Sequence, residues 1–423
     1  MAIQSLFRAK FTLPLLFAFL LTPFPKQWGV LECLFSIHPL LAGIFPFSVS
    51  SEKQWGFTFQ ELYGDGGYSD SVSKKQYQDR LLGQTAIVTG ANSGIGFEIS
   101  LALARLGVSV TMACRNPSRC DAAAKKILDD EIVVRRRESI ANPAVVTMTV
   151  DTSSLQSVKT FCHEFQARTD DGEGNPLPLD MLFLNAGTGF VGATNDGSLN
   201  LSEDGIERIF ATNVVGHHLM YRLLEPSIHR SDELRKTPAR IVLTSSCFAY
   251  ASIYRYKVAT DLGTLNGVRA QDQHFFLYPQ SKLAQILWAK ELTAQLDAET
   301  KDSNALDPTS VVYVNSANPG GVATNIWYTH EGETMSLWAT IGKFGGRLIQ
   351  SLLWTSEEGA LTLLYLGTAV EELQNGNIRG RYYHPQSKQM EDPKLFWRDN
   401  DNQTKTLQEN LWNFLDELVA DFV

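Results

Sequence analysis

The stretch AIVTGANSGIG, residues 86–96, joins a short apolar run to three closely spaced glycines. The apolar run is typical of a buried strand, and helical spacing follows it at once, at Ile95, Ile99, Ala102 and Leu106. Glycines between a strand and a helix let the backbone bend tightly and approach a pyrophosphate, which then meets the amides of the helix N-terminus. Because the spacing G-x-x-x-G-x-G differs from the general G-x-G-x-x-G pattern, the stretch alone leaves a purely structural turn open.

The same alternation of short apolar runs and helical periods continues beyond this stretch. Six runs are typical of buried strands: 86–88, 108–113, 145–150, 181–184, 241–243 and 311–314. Strands rich in Val, Ile and Leu that alternate with helices predict a parallel sheet covered on both faces. We therefore predict an α/β fold, a doubly wound parallel sheet of the Rossmann type, in a single main domain over residues 81–385.

The charge balance gives no reason to expect a nucleic-acid partner. The net charge is −9, from 46 acidic and 37 basic residues. The one dense basic run, residues 135–137, lies beside Glu131 and Glu138. We interpret it as the solvated face of a helix rather than a polyanion site.

The five cysteines show neither the spacing of metal ligands nor that of a disulfide framework: Cys33, Cys114, Cys120, Cys162 and Cys247. We therefore predict no metal site and no disulfide framework, and the cysteines are too sparse to demand an oxidising compartment. Cys247 is predicted to be a small buried side chain.

The first fifty residues differ in kind from the rest. Arg8 and Lys10 precede an uncharged stretch, residues 11–25, which is the layout of a signal sequence or signal-anchor. As a helix, residues 11–21 would span only about 17 Å, short of the roughly 30 Å hydrocarbon core of a bilayer. Since no small-residue cleavage site follows, we predict an uncleaved membrane anchor within residues 1–50, in the endoplasmic reticulum membrane. A cleaved signal, an organellar presequence and a buried segment stay open, and the polar residues 51–80 are predicted to form a linker or cap.

Residues 386–423 are predicted to be a C-terminal extension with an amphipathic helix. Its apolar stripe has helical spacing, at Leu407, Leu411, Phe414, Leu415 and Leu418. The stripe favours a helix docked on the domain over a helix that binds a partner.

The second predicted strand leads into Arg115, with Arg119 close by. NAD-binding folds usually carry an acidic residue near this position, where it bonds the ribose 2′-hydroxyl. A guanidinium suits a 2′-phosphate and is unhelpful to a bare ribose. Arg115 therefore predicts NADP rather than NAD, and the alternative is a surface arginine that opens a helix.

Taken together and in order, the motifs of this chain resemble the short-chain dehydrogenase/reductase family, and within it the retinol-dehydrogenase-like branch. The matching stretches are the glycine turn at 89–96, N-A-G at 185–187, N-x-x-G-H at 213–217, Y-x-x-x-K at 278–282 and P-G at 319–320. The resemblance covers the predicted domain, residues 81–385.

The resemblance implies a set of site residues. The catalytic residues would be Ser246, Tyr278, Lys282 and Asn213, with Asn213 anchoring a water that continues the proton path to Lys282. Tyr278 and Lys282 would also contact the cofactor, Asp151 would lie at its adenine, and the other cofactor-binding residues would be Gly90, Asn92, Ser93, Gly94, Ile95, Gly96, Arg115, Asn185, Ala186, Gly187, Pro319, Gly320, Val322 and Thr324.

The spacing of Tyr278 and Lys282 supports this chemistry independently, because residues four apart share one face of a helix. A phenol ionises near pH 10, and lowering that pKa by about three units requires roughly 4 kcal/mol of preferential stabilisation of the phenolate. A nearby ammonium and a positive nicotinamide could supply it. Taken singly, the pair, a strand-end serine and a buried asparagine each have a structural explanation; their conjunction carries the prediction.

The segment after Thr324 is rich in aromatic and aliphatic side chains: Ile326, Trp327, Tyr328, Trp338, Ile341, Phe344, Leu348, Leu352 and Trp354. These side chains favour a lipophilic small-molecule substrate over simple packing on the domain. The sequence thus predicts an NADP-dependent oxidoreductase that interconverts a carbonyl and an alcohol on a retinoid, steroid, sterol or long-chain compound. The alternative is an NADP-binding sensor or scaffold without turnover, and a homo-oligomer stays open.

Overall fold

The computed structural model describes residues 81–139, 145–168, 172, 174–176, 178–189, 198–235, 237–250, 258–267, 273–302, 312–322, 354–390 and 401–423. The predicted anchor and linker, residues 1–80, lie outside the described residues, as do Thr324 and most of the aromatic segment that follows it. Among the helices that are described, none has both the length and the apolar character needed to cross a membrane.

The described strands form one sheet. They are β1 Thr85–Thr89, β2 Ser109–Cys114, β3 Val145–Thr149, β4 Met181–Leu184, β5 Arg240–Thr244, β6 Tyr313–Ala317, β7 Tyr382–His384 and β8 Lys388–Met390. Their order is β3-β2-β1-β4-β5-β6-β7-β8. Strands β1 to β7 pair in parallel, and β8 pairs antiparallel with β7. The doubly wound parallel sheet predicted from the sequence is therefore confirmed.

The helices connect these strands. They are α1 Gly94–Arg105, α2 Pro117–Leu128, α3 Glu131–Ser139, α4 Leu155–Arg168, α5 Arg208–Phe210, a π-helix at Ala211–Val215, α6 Gly216–Arg235, α7 Leu262–Asn266, α8 Gln273–Asp302, α9 Ser356–Thr368, α10 Val370–Asn375 and α11 Asp401–Val419. In α3 the Arg135 guanidinium lies 3.1 Å from the Glu131 carboxylate, and both side chains are exposed. This part of the basic run is a solvated helix face, as predicted.

Two apolar cores lie on opposite faces of the sheet. On one face, α1, α2 and α9 bury Ile99, Ile127 and Leu363. On the other face, α4, α6, α8 and α11 bury Phe161, Leu219, Leu283 and Leu411. Because both faces are covered, the central strands are buried along almost their whole length, which explains their continuous apolar runs.

Helix α11 covers the paired helices α6 and α8. Trp412 packs its ring 5.6 Å from that of Trp288 and 4.9 Å from that of His218, measured between centroids. The Asp416 carboxylate accepts a hydrogen bond from His218 Nε2 at 2.9 Å and from Arg222 at 2.9 Å. The C-terminal apolar stripe therefore docks on the domain, where α11 contacts α6 and α8.

Two features of the fold were not predicted from the sequence. The sheet continues through β7 and β8, one on each side of residue 385. Cys114 and Cys120 form a disulfide with their Cα atoms 6.0 Å apart, where no disulfide was expected. Cys114 ends β2 and Cys120 lies in the first turn of α2, so it is the fold that brings the two thiols together.

Candidate active site

The order of the sheet reverses between β1 and β4, where crossovers leave in opposite directions. In open parallel sheets this switch point creates a crevice at the carboxyl ends of the strands, where ligands bind. The glycine turn follows β1, Asn185 follows β4, and Ser246 comes two residues after β5. The fold therefore gathers at one edge three stretches that are far apart in the sequence.

The glycine turn has the shape that a pyrophosphate requires. Gly90 and Gly94 have φ values of +68° and +58°, a region that residues with a Cβ rarely adopt. A Cβ on Gly96 would lie 2.4 Å from the Gly90 carbonyl oxygen. Helix α1 starts directly after Ser93, whose side chain makes no capping bond, and the N-terminus of a helix favours an anion. The turn thus fits the phosphates of a dinucleotide.

The opposite end of the crevice would meet the adenosine. Arg115 directly follows β2 and is exposed to solvent, and Asn116 caps α2 by accepting from the Arg119 amide at 2.9 Å. Asp151 follows β3 and accepts from the Ser153 amide at 2.9 Å and from its hydroxyl at 2.7 Å. Arg115 and Asp151 thus lie at the carboxyl ends of the neighbouring strands β2 and β3.

A hydrogen-bonded cluster ties the glycine turn to the N-A-G motif. Thr89 Oγ1 accepts from the backbone amides of Asn185 and Ala186, at 2.9 and 2.8 Å. In return, Asn185 Nδ2 donates to the Thr89 carbonyl oxygen at 2.9 Å, and its Oδ1 accepts from Thr244 at 3.2 Å. The N-A-G motif therefore holds the end of β1 in place beneath the turn.

Ser246 and Tyr278 meet near the carboxyl end of β5. Both side chains are buried, and a hydrogen bond from Ser246 works against the effect of burial, which raises the pKa of the Tyr278 phenol. The Phe248 ring lies 6.0 Å from the Tyr278 ring and is more than a third exposed. The buried phenol thus lies beside one partly exposed aromatic ring.

Lys282 lies one helical turn beyond Tyr278 on α8. Its ammonium is 5.5 Å from the centre of the Tyr278 ring and donates to the Thr244 carbonyl oxygen at 2.7 Å. Burial lowers the pKa of Lys282 to about 7, because charge is costly away from water. Burial thus works against the positive charge that lies beside the Tyr278 ring.

Asn213 lies in the π-helix, opposite α8. Its Oδ1 accepts from the Thr188 amide at 2.8 Å, and its Nδ2 donates to the Thr188 carbonyl oxygen at 3.1 Å and to Ser281 Oγ at 2.9 Å. The side chain therefore joins the loop after the N-A-G motif to the helix that carries Tyr278 and Lys282. Pro319, Gly320 and Val322 follow β6, and Val322 bridges to Trp354.

Two buried residues near this site were not among the predicted site residues. His217 ends the N-x-x-G-H stretch; its Nε2 lies 3.1 Å from Thr89 Oγ1 and its Nδ1 lies 3.1 Å from the Asn213 carbonyl oxygen. Gln285 donates from Nε2 to that same carbonyl at 2.9 Å. Gln285 could have been found as a polar residue on an otherwise apolar helical stripe one turn after Lys282.

Proton-transfer side chains beside a dinucleotide-type phosphate turn are the arrangement of a nicotinamide-dependent oxidoreductase, and this chain is a protein of that class.

Comparison with known proteins narrows the class to a family. The family model described as short chain dehydrogenase matches residues 84–258. Polyprenol dehydrogenase from Mus musculus is 32% identical over 78% of this chain and 82% of that protein. Retinol dehydrogenase 14 from Homo sapiens is 30% identical over 71% of this chain and 78% of that protein. The WW domain-containing oxidoreductase from Gallus gallus is 31% identical over 72% of this chain, but the match spans only 63% of that longer relative.

This chain belongs to the short-chain dehydrogenase/reductase family and has relatives among the retinol and polyprenol dehydrogenases. The predicted family and the predicted enzyme class, a dehydrogenase/reductase, are thereby confirmed.

Proposed function

We propose that this chain is an NADP-dependent enzyme that interconverts a carbonyl and an alcohol on a lipophilic substrate. The observation that carries the proposal is the contact of Ser246 with the Tyr278 phenol, with the Lys282 ammonium 5.5 Å from the centre of the phenol ring. This group lies at the same edge of the sheet as the glycine turn. Proton transfer and dinucleotide binding therefore share one crevice.

Each side chain has a distinct role in this proposal. Tyr278 gives its proton to the substrate oxygen in reduction and takes it back in oxidation, while Ser246 holds that oxygen by a hydrogen bond. Lys282 stabilises the phenolate through its charge, against the burial that raises the pKa of Tyr278. A bound nicotinamide supplies the hydride. Asn213 keeps α8 in register with the loop after the N-A-G motif through its bonds to Thr188 and Ser281.

The preference for NADP rests on Arg115. It follows β2 directly, is exposed, and stands where an acidic residue would bond a bare ribose. A guanidinium binds a phosphate through two parallel hydrogen bonds, whereas it adds little to a ribose hydroxyl.

The lipophilic substrate is supported by two observations. Phe248 exposes an apolar ring at the rim beside Tyr278. Two relatives are named for polyprenol and retinol, both lipophilic alcohols. Residues 11–25 would then anchor the domain at a membrane, close to where such substrates dissolve. We favour the endoplasmic reticulum membrane over the membrane of another organelle.

The test uses the purified full-length chain in detergent, with NADPH consumption followed by absorbance. Retinal, a polyprenal, keto-steroids and long-chain aldehydes are the substrates, and Tyr278→Phe is the variant. We expect turnover with at least one substrate, and a loss of about 1,000-fold in kcat for Tyr278→Phe with NADPH binding retained. Unchanged turnover in that variant would refute the role of Tyr278. Tight NADPH binding without turnover on any substrate would favour the sensor or scaffold function.

A further inference from the structure

Gln285 lies between two parts of the catalytic site. It is almost completely buried on α8, one turn after Lys282. Its Oε1 accepts from the Lys282 ammonium at 3.1 Å, and its Nε2 donates to the Asn213 carbonyl oxygen at 2.9 Å. One carboxamide thus connects the lysine of α8 to the backbone of the π-helix.

The orientation of this carboxamide follows from its partners. An ammonium can only donate and a carbonyl oxygen can only accept, so the oxygen of Gln285 must face Lys282 and the NH₂ must face Asn213. The flipped amide would set donor against donor and acceptor against acceptor in a buried place, which costs the full desolvation of each group.

The Asn213 carbonyl is held from a second side by His217. Burial and the Lys282 charge lower the pKa of His217 to about 3, so its ring is neutral. Because a carbonyl only accepts, His217 Nδ1 carries the hydrogen, and its Nε2 lies 3.1 Å from Thr89 Oγ1. Two protein side chains therefore donate to this carbonyl.

The Lys282 ammonium has three N–H donors. One points to the Thr244 carbonyl oxygen at 2.7 Å and one to Gln285 at 3.1 Å. These two acceptors lie on different elements, β5 and α8, and together they fix the direction of the remaining N–H. Gln285 thus helps to determine where Lys282 can bond a ribose.

We propose that Gln285 is the positioning residue that holds the Lys282 ammonium, in the place where the family resemblance puts a water anchored by Asn213. A water can accept one proton while releasing another, but a carboxamide can do so only through its high-energy imidic acid form. The connection between Lys282 and Asn213 is therefore a brace that orients charge and does not conduct protons. The kinetic part of this proposal rests on the proposed function; the binding part does not.

The test exploits the opposite effects of two substitutions on Lys282. Bound NADPH is anionic and raises the pKa of Lys282, so NADPH affinity is full at low pH and declines as pH rises through the free-protein value of about 7. Gln285→Leu removes an acceptor and moves that decline to lower pH. Gln285→Glu places a carboxylate at the ammonium and moves it to higher pH, by about one unit or more.

The other titratable groups that face Lys282 do not account for a change of NADPH affinity in this pH range. His217 stays neutral because its pKa is about 3, and burial raises the pKa of the Tyr278 phenol above its ordinary value. The 2′-phosphate of NADPH titrates equally in every variant, and NADH serves as a second probe without it. Gln295→Leu is the matched control, since Gln295 lies on α8 and bonds only Glu291 on its own helix among the described residues.

Affinity is measured from NADPH fluorescence between pH 5.5 and 9.5 with the full-length chain, so no substrate is needed. We expect shifts of opposite sign for the two Gln285 variants and none for Gln295→Leu. With a turned-over aldehyde, kcat of Gln285→Leu should fall about tenfold, as for the loss of one charge-assisted hydrogen bond, while its KM changes less than twofold. If Gln285→Leu fails to fold, Gln285→Glu alone must still raise the midpoint. Unchanged midpoints in the variants that fold would overturn the proposal, whether or not the enzyme turns over.

Discussion

The phosphate turn and the proton-transfer site lie side by side but are built differently. The turn is built from backbone. Gly90 and Gly94 have positive φ values, and Gly96 has no room for a Cβ. The proton-transfer site consists of buried side chains held by hydrogen bonds, Tyr278 by one with Ser246 and Lys282 by one with Gln285. The turn should therefore tolerate no added atom, whereas the proton-transfer site should tolerate no lost polar group.

The largest effect is expected from adding atoms to the turn. In Gly96→Val the new Cβ would lie 2.4 Å from the Gly90 carbonyl oxygen, so the turn must open. The amides at the start of α1 would then no longer point toward the phosphates. We expect NADPH affinity to fall about 1,000-fold, roughly 4 kcal/mol, measured by fluorescence titration. Gly263→Ala is the control, because its nearest neighbour is the Asp261 side chain at 3.3 Å. Normal binding by Gly96→Val would contradict the comparison.

The next effect is expected from removing a polar group at the proton-transfer site. Ser246→Ala removes the hydroxyl that contacts Tyr278 and should lower kcat about 100-fold, with NADPH affinity unchanged within about twofold. Its neighbour Ser245 donates instead to the Lys282 carbonyl oxygen at 2.7 Å. Ser245→Ala should therefore lower the free energy of unfolding by about 1 kcal/mol and reduce kcat much less than Ser246→Ala does. Equal losses of kcat in the two variants would show that Ser246 acts only through packing.

A smaller effect is expected at the exposed arginine that follows β2. Arg115→Ala should weaken NADPH binding about tenfold to thirtyfold, the value of a charge-assisted hydrogen bond, and leave NADH binding unchanged. Lys125→Ala, an exposed cation on α2, is the control for net charge. The measured quantity is the ratio of the two dissociation constants. If NADPH and NADH weaken together in Arg115→Ala, the arginine does not read the 2′-phosphate.

The smallest effect on the site is expected from the disulfide. Cys114 and Cys120 enclose a short loop, so the chain-entropy model gives Cys120→Ser a loss of about 2 kcal/mol in the free energy of unfolding. Both cysteines are buried, whereas the Arg115 side chain is exposed, so replacing Cys120 should leave kcat unchanged. Urea denaturation with and without reductant checks this. Wild-type protein in reductant should match the variant, and a wild type insensitive to reductant would contradict it.

The sequence predicted most of the sheet, for a physical reason. Strands β1, β2, β4 and β5 are buried along almost their whole length, and their apolar runs follow from that burial. Strands β7 and β8 have three residues each and carry Tyr, His, Lys and Gln, so no apolar run marks them. Their place in the sheet depends on pairing with β6, a contact that local sequence does not encode.

The candidate site divides in the same way. The glycine turn and the Tyr278–Lys282 pair have fixed local spacing, so the sequence alone pointed to them. Gln285 and the Cys114–Cys120 disulfide acquire their roles only when α8 meets the π-helix and when α2 folds back on β2. A single glutamine on a helix has an ordinary packing explanation, and only its two partners distinguish it.

The bond between Thr89 and Asn185 has a consequence for folding. The two residues are 96 positions apart in the chain, and the pairing of β1 with β4 must form before this bond can. Contacts of such sequence separation form slowly, since the loop between them must close first. In a refolding experiment the phosphate turn should therefore become competent late, after β1, β2 and β3 have paired. Recovery of NADPH fluorescence should then lag behind recovery of secondary structure.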